Sequence, residues 1–157
     1  MKYLLCLLLT GCSVSVDNRS QLIVEATVNP RIDEELLPFI HDFELLFGAR
    51  VQPSLSAYLM PDESFSGFAI GNCNYQTTTI TIKKTYWDSM DVWDRKALML
   101  HELGHCELFK DHNEDTLLDG TPASLMNHKS LDGEILKNNF TYYIEELFED
   151  TEYLRQR

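Results

Sequence analysis

Two histidines four residues apart, His101 and His105, enclose Glu102-Leu103-Gly104, and this spacing constrains the fold more than any other feature of the chain. Four residues of α-helix return nearly to the same face, so a helix brings both imidazoles to where they can grip one metal ion. The flanking sequence predicts that helix, because Asp91 stands at its start and Val92, Trp93, Ala97, Leu98 and Leu100 run into the motif. Neutral imidazole nitrogens with an open coordination position suit one catalytic Zn²⁺ ion, which lowers the pKa of a bound water towards about 7. Glu102 is one residue round the helix, where it can accept a proton from that water and pass it to a leaving amine.

Upstream, the pattern predicts a small sheet with a helix over it. Residues 22–28 are rich in β-branched side chains and read as a strand ended by Asn29-Pro30. A helix is expected to follow, with Asn29 as cap, Pro30 in its first turn and Asp33, Glu34 and Glu35 near its positive end. Ile32, Leu36, Phe39, Ile40, Phe43 and Phe47 repeat at helical spacing up to Gly48. Residues 54–60 and 65–70 read as short strands, and 77–83 as a clearer one with Ile80 and Ile82 on one face and Thr79, Thr81 and Lys83 on the other. An irregular stretch over 111–129 and an amphipathic helix over 132–148 complete an α+β fold, with a small mixed, mostly antiparallel sheet covered by helices.

Ser124-Leu125-Met126-Asn127 resembles the methionine turn of the metzincins, and with the HExxH motif the chain looks like a metzincin-type zinc peptidase. The resemblance extends loosely over residues 22–128. It implies that Met126 forms the floor under the histidines, and that the strand 77–83, or the segment before it, pairs with an extended polypeptide substrate. The family pattern reads HExxHxxGxxH, whereas here Leu108 holds the glycine position and Asp111 the third ligand position, with His112 one residue later. Leu108 disfavours the left-handed turn that glycine makes, so the helix is expected to run on through Phe109 and bring His112 to the metal. Asp111 is the alternative third ligand, since either residue is acceptable to zinc.

Other side chains are weaker candidates. His41 reads as a solvated or packed helix residue, and His128 as a surface residue within reach of substrate. Tyr142 or Tyr143 could stabilise an oxyanion, although an aromatic pair in an amphipathic helix is more often core. Glu134 or Glu145 would serve as a ligand only in a gluzincin arrangement, against which the methionine turn argues.

The N-terminus, Met1-Lys2 followed by a short apolar run, reads as an export signal too short to span a bilayer. Leu9-Thr10-Gly11-Cys12 resembles the bacterial lipobox. That resemblance implies a signal peptide over 1–11, lipid on Cys12, a tether over 12–20 and a peptidase domain over 21–157. It also implies a place in the bacterial cell envelope, and Ser13 rather than Asp after the cysteine favours the outer membrane. Of the four cysteines, Cys73 and Cys106 remain for the domain, where a disulfide and two separate buried thiols are both open. The net charge of −12 becomes −13 once Lys2 leaves with the signal, which excludes nucleic acid as a natural partner. The expected form is a monomer that meets a polypeptide substrate and is held to the membrane by lipid. A non-catalytic surface lipoprotein, with a structural zinc and a zincin fold used for partner binding, is the alternative, and Glu102 speaks against it.

Overall fold

The structure, a computed structural model, describes residues 31–65 and 67–156. The expected export signal, Cys12, the tether, the strand over 22–28 and the Asn29-Pro30 cap lie outside the described residues. The first helix, α1 (Leu37–Phe47), follows a 3-10 turn over Glu34–Leu36 and ends at Gly48, whose φ is 76°. It begins later than its hydrophobic stripe suggests, because Ile32 is drawn into a parallel bridge with Ala57. Asp33 is held there too, its carboxylate accepting from the Leu59 amide at 2.6 Å. Leu36, Ile40, Phe43 and Phe47 are buried as the spacing predicts.

Three strands form the sheet: β1 (Ser56–Met60), β2 (Gly71–Asn74) and β3 (Thr79–Lys83), in the order β1-β3-β2. The sheet is small and mixed as expected, with antiparallel pairing confined to β2 and β3, since β1 runs parallel to β3. Ile80 and Ile82 share the fully buried face of β3. Of the strand expected over 65–70, the described residues 65 and 67–70 are instead a connection to β2, where the Lys83 ammonium donates to the Gly67 carbonyl at 3.3 Å and lies over the Phe65 and Tyr86 rings. The true edge strand, β2, begins only at Gly71.

After the short helix α2 (Lys84–Ser89) comes α3 (Val92–Leu108), started by the Asp91 carboxylate, which accepts from the amides of Trp93 and Asp94 at 2.7 and 2.9 Å. Such a cap satisfies two of the four amides that a helix start leaves without partners. This helix is the axis of the molecule: β2, β3, α1 and the later helix α4 (Gly133–Asn138) all pack on it. The helix expected over 132–148 is two, α4 (Gly133–Asn138) and α5 (Phe140–Phe148), broken at Asn139, whose φ of −125° and ψ of 31° are not helical. Phe148 meets Phe43 and Phe47, closing the core between α5 and α1. Among the described residues, no helix is long and apolar enough to cross a membrane.

Candidate metal centre

His101 and His105 project from one face of α3, as their spacing requires, and their Nε2 atoms lie 3.1 Å apart. His112 arrives from the following loop with its own Nε2 3.1 Å from that of His105. How it gets there is a matter of one residue. The helix ends at Leu108, and Phe109 takes the left-handed conformation at φ 58°, so that the Phe109 amide donates to His105 and the Lys110 amide to Gly104. A side chain in that conformation costs roughly 1–2 kcal/mol, which the closing of these last carbonyls offsets. The helix therefore stops at Leu108 rather than running on through Phe109 as expected, and a Cβ does not forbid the left-handed turn, since Phe109 itself makes it. Asp111 lines the same cleft without joining the cluster, and the three ligand-bearing atoms that lie together belong to His101, His105 and His112.

The loop after His112 is tied down rather than loose. The Asn113 amide donates to the Met126 carbonyl at 2.9 Å, and the Asn127 side-chain amide returns to the Asn113 carbonyl at 3.3 Å. Met126 is itself fixed by the Ser124 hydroxyl, which accepts from its amide at 2.9 Å, and its buried side chain packs beneath α3 against Gly104. Tyr142 and Tyr143 do not face the cleft. Their hydroxyls donate to the carbonyls of Ala123 and Pro122, both at 2.8 Å, so from α5 they prop the segment leading into Ser124–Asn127. Glu134 and Glu145 are exposed on α4 and α5 and outside the histidine cluster, and His41 is exposed on α1. His128 reaches the rim of the cleft, paired with Glu114.

The ring protons decide what the cluster can do. His101 Nδ1 lies 2.7 Å from the Leu125 carbonyl and His105 Nδ1 2.7 Å from that of Lys110, and a carbonyl can only accept. Each neutral ring therefore carries its proton on Nδ1 and turns a bare lone pair at Nε2 towards its neighbour. Two lone pairs 3.1 Å apart repel unless a cation lies between them. Tetrahedral ligands at the zinc–nitrogen distance would stand about 3.3 Å from one another, so the three histidines fit such an ion. Burial holds the rings neutral, lowering the pKa of His101 to about 4 and that of His105 below its usual value, each against the pull of its carbonyl partner.

Residues 61–131 match a family model described as "Putative phage metallopeptidase". Together with the three-histidine group, the match supports a metallopeptidase. It spans β2, β3, α2, α3, the loop bearing His112 and the Ser124–Asn127 segment. No curated protein and no solved structure matches the chain significantly.

The wall opposite α3 is β2, and it meets the helix in a two-residue rhythm. Gly71 lies over the Glu102 carboxylate, Cys73 is bonded to Cys106 and Tyr75, the first residue after the strand, lies with its hydroxyl 3.1 Å from His105 Nδ1. The pairing of Cys73 with Cys106 resolves the choice left open by their spacing. Glu102 is buried and its Oε2 atom has no hydrogen-bond partner, and burial raises its pKa to about 8. A buried carboxylate oxygen without a partner is costly unless something in the working site completes it. The cleft these residues line has a volume near 500 Å³, and Phe68, Ile70, Leu98 and Ser130 also contribute to its walls. Sequence reasoning missed Tyr75, because nothing in its local pattern marks it.

Proposed function

We propose that the chain is a zinc peptidase that hydrolyses peptide bonds outside the cytoplasm, with Glu102 as its general base. The observation that carries this reading is the unpartnered Glu102 oxygen beside three imidazoles whose Nε2 atoms converge. Three nitrogen ligands and an open position are the donor set of catalytic zinc, and such an ion would polarise a peptide carbonyl and make a water acidic near neutral pH. Glu102 would be the group to take the proton of a water so activated and to pass it to the departing amine. Its burial raises its pKa and a cation held by the histidines would lower it, two opposing influences that would leave the group able both to accept and to release a proton.

The substrate lies along β2. Both edges of β3 are used within the sheet, so of the two segments considered for pairing with a peptide, the one before β3 has the free edge. An extended chain added there brings its backbone over Glu102 and the histidines, with main-chain hydrogen bonds supplying affinity. Met126 beneath α3 and the Leu125 carbonyl on His101 support a metzincin-like arrangement whose third ligand, His112, comes one residue later than in the family pattern. The lipobox-like Leu9-Thr10-Gly11-Cys12 supports a lipid-anchored location in the bacterial envelope, and a disulfide is at home in that oxidising space.

Metal analysis with peptide-library cleavage tests the assignment. Glu102→Gln should keep about one equivalent of zinc while losing hydrolysis, because the amide cannot take a proton and the histidines are untouched. Full turnover by that variant would remove the catalytic role and leave a metal-holding binding protein.

A further inference from the structure

We propose that Tyr75 is a positioning residue for the metal ligand His105, joining the substrate-side strand β2 to the metal helix α3 through its hydroxyl. The inference rests on the three histidines holding a metal ion, and goes beyond that reading in giving this residue a part in it.

Three atoms form a small triangle behind the His105 ring. Its Nδ1 has one proton, given most directly to the Lys110 carbonyl at 2.7 Å. The Tyr75 hydroxyl lies 3.1 Å from the same nitrogen and 3.5 Å from the same carbonyl oxygen, so it takes a share of the Nδ1 proton and turns its own towards Lys110. The phenol ring stands edge-on to the imidazole, with centroids 6.1 Å apart and an interplanar angle of 80°. The imidazole is thus held from the rear by a carbonyl on one side and a phenol on the other, and rotation that would swing Nε2 out of the cluster has to break both contacts. A group that donates or accepts behind a ligating histidine fixes its tautomer and aim.

Tyr75 is itself anchored. The Asn74 side chain accepts from the amides of Gln76 and Thr77 at 3.0 and 3.2 Å, shaping the turn that leaves β2. Two residues earlier the Cys73–Cys106 bond fastens the same face of β2 to the residue next to His105. Tyr75 nevertheless remains 49% exposed and lines the cleft, so it is not buried merely to fill the core.

The test compares full-length wild type with Tyr75→Phe, which keeps the ring and removes only the hydroxyl. Zinc affinity is measured by chelator competition, ligand geometry by the visible spectrum of the Co²⁺-substituted protein, and fold stability by thermal melting without metal. Tyr75→Phe should weaken zinc binding about tenfold or more and shift the cobalt absorption, with the metal-free melting temperature unchanged. On peptide substrate, kcat should fall while KM stays within about twofold, since the ring that walls the cleft is intact. Equal zinc affinity and an identical cobalt spectrum, in a variant whose wild type binds both ions, would overturn the role of Tyr75 and leave the metal centre standing. A lower melting temperature in step with the affinity loss would make the residue structural and overturn it too, and a wild type that takes up neither ion would overturn both readings.

Discussion

The sulfur of Met126 occupies the space that a side chain on Gly104 would need. A Cβ at position 104 would lie 2.4 Å from Sδ and 3.2 Å from a methyl of Leu147. Gly104→Ala should therefore destabilise the protein by roughly 1–3 kcal/mol, the usual cost of overpacking, as read from denaturant unfolding. Adding Met126→Ala should recover part of that loss, because the space is then vacated. Additive effects of the two changes would show that the contact between them is not what constrains residue 104.

Gly71 stands in a similar relation to Glu102, but with the opposite expected outcome. A Cβ there would lie 2.4 Å from Oε1, the far end of a side chain that can move aside. Gly71→Ala should thus leave zinc affinity unaltered while lowering kcat about a hundredfold, the scale of loss when a catalytic group is displaced by about an ångström. Parallel zinc titration and peptide hydrolysis separate the two quantities.

The third ligand can be tested directly. His112→Ala should weaken zinc binding by orders of magnitude, whereas Asp111→Ala should cost less than about tenfold, since Asp111 acts on His105 and Tyr75 only through space. Calorimetric titration of zinc into the two metal-free variants checks this. Collapse in Asp111→Ala with near-normal affinity in His112→Ala would reverse the assignment.

Removing the Cys73–Cys106 bond by paired serine substitution should lower stability by about 3–4 kcal/mol, the chain-entropy expectation for a loop closed across 33 residues. Because the bond fastens β2 to α3, KM for an extended peptide should rise as well. Denaturant midpoints and steady-state kinetics measure the two effects.

What could be read in the sequence is what depends on near neighbours. The Asp91 cap, the imidazoles of His101 and His105 on one helical face and the alternation of Ile80 with Ile82 are all set within a few residues, and each stands where expected. Residues 65–70 misled because they are more apolar than Gly71-Asn72-Cys73-Asn74, whose glycine and asparagines are poor strand formers. That segment is a strand because β3 pairs with it and Cys106 bonds to it, both distant in sequence. Asn139 interrupts the last helix without a proline or glycine to announce it, and Tyr75 meets His105 across thirty residues. The step from Asp111 to His112 was legible only in part: the missing glycine signalled a later turn, but Phe109 as its pivot had no local mark.

The rhythm of β2 also sets how the chain tolerates changes in length. Gly71, Cys73 and Tyr75 reach Glu102, Cys106 and His105 because alternate residues share one face of a strand. One residue inserted between 71 and 75 would turn every later side chain of that set to the opposite face, uncoupling the cysteine or the tyrosine from its partner at a stroke. An insertion near Asp119 and Gly120, at the exposed tip of the loop between His112 and Met126, would lengthen a solvent-facing turn and leave all three contacts in place.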